Sequence, residues 1–103
     1  MLIVNSRNGI PIRLTDERWQ HILRRHPEML GARDRVLETV AEPELLQEGD
    51  FGELLALHFY SETPLTNKFL VVAYKEAGPQ DGFVVTAYYA RRASERRKTI
   101  WKR

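Results

Sequence analysis

The sequence contains no cysteine. Disulfides, thiolate catalysis and cysteine-held zinc are therefore excluded. No apolar run approaches the roughly 18–20 residues of a membrane span. Residues Met1 to Arg7 hold one short apolar run, Leu2-Ile3-Val4, with no basic segment ahead of it, unlike a secretory leader. The expected compartment is a reducing cytoplasm, with no membrane partner. There is no Gly-rich phosphate loop, no His-Glu-x-x-His helix and no Gly-x-Ser-x-Gly elbow, and the acids are not spaced as a two-metal site. Excess charge of either sign is also missing, since 16 basic and 14 acidic residues leave +2.

That small net charge hides a pole. From Arg91 to Arg103 the sequence carries seven basic residues and one acid, Glu95, for a charge of +6; the other 90 residues carry −4. Such asymmetry suits a polyanion such as RNA, a docking surface for an acidic protein, or a solvated terminal helix. With 43 % hydrophobic and 29 % charged residues, the 103-residue chain has the composition of one folded domain with a single core.

The pattern along the chain predicts helices first and strands afterwards. Ile3-Val4 and Ile10-Pro11-Ile12 flank Asn8-Gly9, which reads as a short hairpin or an extended arm. Thr15 is a natural N-cap, followed by Asp16 and Glu17 where the helix dipole favours acids. The first helix is expected from about Asp16 to Arg25. Trp19, Ile22, Leu23 and His26 form its apolar stripe, and Pro27 stops it. A second helix is expected over about 32–41, with Val36, Leu37 and Val40 inward and Pro43 as the stop. Residues 44–52 read as a loop or a short edge strand. Three strands follow, at about 53–60, 68–75 and 83–90, and their short links imply antiparallel pairing. The expected architecture is α+β: N-terminal helices packed on a three- to four-stranded antiparallel sheet, with a basic C-terminal segment holding a helical turn before Ile100-Trp101 docks back.

The residues available for chemistry are His, Arg, Lys, Tyr and Thr, which suit general acid–base catalysis on a phosphodiester without a metal or other cofactor. On the first helix Glu17, Arg18, His21 and Arg25 share a polar face, whereas His26 lies over the apolar stripe at the C-terminus, where a cation is favoured. A histidine there also serves as a cap or a core residue. Strict alternation along the strands groups Leu55, Leu57, Phe59, Phe69, Val71, Ala73, Phe83, Val85, Ala87 and Tyr89 on one face, taken to be the one that meets the helices. His58, Tyr60, Lys68, Tyr74, Thr86 and Tyr88 would then face solvent, beside the basic tail, as a surface on which bases could stack. An ordinary amphipathic sheet has the same pattern.

The segment Glu17-Arg18-Trp19-Gln20-His21-Ile22-Leu23-Arg24-Arg25-His26-Pro27-Glu28 resembles the first-helix motif of phage- and mobile-element-borne nucleases of the barnase–EndoU–colicin–RelE-like (BECR-fold) group. Phe69 to Lys75 and Gly82 to Tyr89 resemble that group's central and last core strands, so the likeness covers roughly residues 12–103. The resemblance implies N-terminal helices on a sheet of about four antiparallel strands. It also implies metal-independent RNA cleavage by a toxin or effector, held in check by an antitoxin or immunity protein. It points to His26, His21, Arg25, Tyr88 and Thr86 as catalytic residues, and Lys68, His58, Arg91, Arg92 and Trp101 are the candidate RNA contacts. A non-catalytic RNA-binding or protein-interaction module on the same scaffold is the alternative.

Overall fold

The computed structural model describes all 103 residues. The Asn8-Gly9 turn folds β1 (Leu2–Asn5) onto β2 (Pro11–Leu14), with Gly9 at φ +79°, a conformation that suits a residue without Cβ. Thr15 then caps α1 (Asp16–Arg25), its hydroxyl accepting the Arg18 N–H at 3.0 Å. Trp19 and Ile22 are buried. The His26 N–H closes the helix on the Ile22 carbonyl, and Pro27 opens a short 3₁₀ turn, Pro27–Met29. In α2 (Arg33–Ala41) the buried face is Val36, Thr39 and Val40, with Leu37 only half-buried. Thr39 is tolerated inside because its hydroxyl donates to the Arg35 carbonyl at 2.7 Å.

The remaining strands are β3 (Leu45–Glu48), β4 (Leu54–Phe59), β5 (Phe69–Gly78), β6 (Asp81–Ala90) and β7 (Thr99–Lys102). Together with β1 and β2 they form one seven-stranded sheet in the order β1-β2-β6-β5-β4-β3-β7. The expected three- to four-stranded antiparallel sheet is thus overturned. The sheet is larger, and it is mixed, because β2 runs parallel to β6 through Ile12↔Gly82 and Arg13↔Phe83. Three short segments account for the difference. The N-terminal arm is a hairpin that joins the sheet. Leu45 and Leu46 suffice to make β3 despite their acidic surroundings. The basic tail forms no helical turn and ends in a strand, because Trp101 packs against the core while its backbone pairs with Leu46.

The faces of β4 and β5 are also the reverse of the alternation reading, whereas Ala87 and Tyr89 of β6 meet the helices as it expected. Ala56, Leu70, Val72 and Tyr74 meet the helices, while Leu55, Leu57, Val71 and Ala73 form a second cluster on the back. These runs are apolar at nearly every position, so period-2 alternation could not choose between the faces. On β6 a bulge shifts the register between Ala73↔Thr86 and Tyr74↔Val84. Val84, Ala87 and Tyr89 therefore share the helix face, and Val85, Thr86 and Tyr88 lie on the back.

Residues 91–98 leave the end of β6 and cross the back face to reach β7. Ala93 packs on the second cluster, and the buried Gln47 side chain donates to the Ser94 carbonyl at 2.8 Å. Arg97 reaches Asp50 at 3.1 Å. On the helix side the sheet curves around α2, and its two ends approach each other: the Arg7 guanidinium lies 3.9 Å over the Trp101 ring. No helix is long and apolar enough to cross a membrane.

Candidate functional site

β2 covers only the start of the outer edge of β6. Beyond Phe83 that edge is occupied by α1, which runs beside the strand. Two contacts fix it there. Arg18 Nη1 donates to the Val85 carbonyl at 3.3 Å, and the His26 ring lies 5.8 Å from the Tyr88 ring, tilted by 32°. Their spacing is consistent with side-by-side packing. Eight helical residues rise about 12 Å, and three strand residues cover about 10 Å. Side chains of α1 and of the back face of β6 therefore meet along one seam, the groove between helix and strand.

His26, Tyr88 and Thr86 belong to this groove, and all three are half-buried. Glu28 lies behind His26, its Oε2 3.7 Å from the imidazole Nδ1. Nδ1 is thereby turned toward a carboxylate, and Nε2 is the nitrogen left for a substrate group. Arg25 is exposed and lies on the same line of the helix as Arg18, two turns later, which puts it level with Tyr88. His21 shares the helix face of Arg18 and Arg25 but is separated from His26. Five residues apart on a helix, His21 and His26 point about 140° away from each other. His21 instead lines a shallow cavity of about 190 Å³ with Thr15, Glu17, Arg18 and Arg24. The two histidines therefore do not face one phosphate.

The expected RNA contacts divide similarly. Arg91 and Arg92 are exposed and follow Tyr88 by three and four residues. Trp101 lies four strands away along the sheet, about 19 Å from β6, partly buried under Arg7. His58 belongs to the helix side, stacked on Tyr60 at 4.4 Å with its Nδ1 3.3 Å from Glu44 Oε2. Tyr60 in turn bonds Glu38 and lies under the Arg35 guanidinium. Burial, and then the Glu38 carboxylate, push the Tyr60 phenol above its usual range. Tyr74, expected on the wet face, is wholly buried. Lys68 is half-buried, and its carbonyl accepts the Tyr60 N–H. His58, Tyr60, Lys68 and Tyr74 thus do not form a solvent-facing surface with Thr86 and Tyr88.

Sequence reasoning missed two members of the groove. Arg18 was visible only as one charge on a polar face, and its link to Val85 depends on where α1 docks. Glu28 had a local signal, the His-Pro-Glu run, in which the chain reverses after Pro27 and brings the carboxylate back to the imidazole. No three His, Asp or Glu side chains gather into a group that could hold a metal ion. Comparison with protein-family models, curated proteins and solved structures found no match.

Proposed function

We propose that this chain is a metal-independent endoribonuclease whose active groove lies between α1 and β6. One observation carries the proposal: an imidazole and a phenol, His26 and Tyr88, face each other 5.8 Å apart across a groove flanked by arginines. Two groups able to exchange protons, with cations nearby, are what transesterification of an RNA phosphodiester needs. The resemblance of the helix motif to nucleases supports the same assignment.

In this mechanism His26 Nε2 takes the proton of the substrate's 2′-hydroxyl, and Glu28 holds the ring. The 2′-oxygen attacks phosphorus, and the bond from phosphorus to the 5′-oxygen breaks. Tyr88 gives its proton to that leaving oxygen. The products are a 2′,3′-cyclic phosphate and a 5′-hydroxyl end. Arg25 and Arg18, with Arg91 or Arg92, offset the charge that builds on the phosphate oxygens, and Thr86 donates a hydrogen bond to one of them. The proton then returns from His26 to Tyr88 through solvent, which resets both groups. His21 steers the phosphate backbone from its separate cavity. An enzyme of this kind works in the cytoplasm as a toxin or effector under an antitoxin or immunity protein.

The test is cleavage of single-stranded RNA in EDTA. The wild type is expected to cleave. His26→Ala and Tyr88→Phe, each checked for folding by circular dichroism, should lose about 10²–10⁴-fold in kcat. Full activity in both variants would remove their roles. Loss of wild-type activity in EDTA would remove the metal-free mechanism, and RNA binding without cleavage would favour a binding module.

A further inference from the structure

The back face of the sheet carries an apolar, cation-rimmed cavity outside the groove. It measures about 410 Å³ and is lined by Glu44, Leu45, Phe69, Ala93, Lys102 and Arg103. Beside it stands Phe59, 45 % exposed and edge-to-face with Phe69 at a centroid distance of 5.5 Å. An exposed phenylalanine in a sheet whose other back-face residues are mostly covered is an unfinished surface. Its chemistry is specific. Flat aromatic walls meet two cations, Lys102 of β7 and Arg103 just after it, and Arg91 and Arg92 lie on the side toward Tyr88. The single acid, Glu44, is already engaged: its carboxylate accepts the Phe59 N–H at 2.9 Å and lies 3.3 Å from His58.

The strand register gives the distance to the groove. Tyr88 pairs with Val71, and Phe69 is two residues further along β5, opposite Ala90. Phe69 is therefore about 8 Å from Tyr88, and Phe59, one strand beyond, about 12 Å. A nucleotide adjoining the cleaved bond can span that gap, with the phosphate shared with the cleaved nucleotide beside Arg91 and Arg92 and its other phosphate free to meet Lys102 and Arg103.

We infer that this cavity receives a base of single-stranded RNA next to the scissile nucleotide, stacked on Phe59 and Phe69, with Lys102 and Arg103 on its phosphate. The inference takes its substrate from the ribonuclease proposal and adds where a neighbouring base sits. It also sets the substrate class, because a base inside a duplex is stacked on its neighbours and cannot enter, whereas an unpaired base can.

The experiment measures fluorescence anisotropy of a labelled ten-nucleotide single-stranded RNA, with the same RNA as a duplex for comparison. The protein is the His26→Ala chain, with Phe59 intact or changed to Ala or Trp. Phe59→Ala is expected to weaken single-strand binding about 5- to 100-fold, to leave duplex binding nearly unchanged, and to be rescued by Phe59→Trp. Equal binding by Phe59→Ala, or no binding by the parent, would overturn the inference. So would a Phe59-dependent dimer in sedimentation, which would make a second copy the occupant. Phe59-dependent binding without cleavage by the wild type would sink the ribonuclease proposal and leave this site standing. Cleavage unaffected by Phe59→Ala would do the reverse.

Discussion

Tyr74 has a hydroxyl, buried in the core, with no hydrogen-bond partner. Burial, and then the nearby Glu76 carboxylate, push its phenol above the usual range. A buried donor left unbonded costs about 1–3 kcal/mol, so Tyr74→Phe should be neutral or stabilising by about 1 kcal/mol in urea unfolding near pH 7. The pH sign follows from linkage. Between the unfolded and folded pKa values the unfolded chain has lost the Tyr74 proton and the folded chain has kept it. Stability therefore falls as pH rises above about 10, and Tyr74→Phe should reduce that alkaline loss. A variant that loses stability at pH 7 would show that the hydroxyl has a partner after all. At this scale the cap Thr15, the stop at Pro27 and the end position of His26 were all legible, because each depends only on near neighbours. Whether Tyr74 faced water was not, since that depends on which side of an all-apolar strand the helices choose.

Among the elements, the contact between β2 and β6 is the most demanding. A Cβ on Gly82 would meet Ile12 Cδ1 and come within 2.6 Å of the Lys75 carbonyl oxygen. Only a residue without a side chain lets β2 lie beside β6 there, with Arg13 and Asp81 paired across the junction. Gly82→Ala should destabilise the fold by about 1–3 kcal/mol. Hydrogen exchange should rise first at Ile12 and Arg13; unchanged exchange there would show that the strands part without cost. The helices and the three long strands were legible from periodicity and turn residues. The parallel pairing was not, because β2 and β6 are joined by about two thirds of the chain and no local signal marks a partner 70 residues away. Nor was the bulge at Val85–Thr86 legible, although it is what puts Val84 on the face opposite Thr86 and Tyr88.

For the whole molecule, the decisive feature is the approach of the sheet's two ends around α2. Arg7 from the first hairpin covers Trp101 of the last strand, and Ala41, Glu42 and Pro43 at the end of α2 line the same cavity. Trp101→Ala should cost about 2–4 kcal/mol and loosen amide exchange in β3, the strand β7 pairs with, before that in β6. Equal loosening of both would mean that the edge strand is not a separate unit. The basic tail was legible as charge and its Ile100-Trp101 as a docking element. Its path was not, since crossing the back face to an outer edge is decided by apolar cover for Leu55, Leu57, Val71 and Ala73.

The groove between α1 and β6 also has a history. Its helical wall lies within the first 26 residues, and its strand wall begins only at residue 81. Closing a loop of that length adds little to the equilibrium cost, because the cost grows only with the logarithm of length. It weighs heavily on rate, since non-local pairings place a fold among those that form in milliseconds to seconds. His26 is made long before Tyr88 can arrive opposite it. During synthesis the proposed cleaving centre is therefore among the last parts of the molecule to exist, and a chain halted before β6 carries the imidazole without the phenol that completes it.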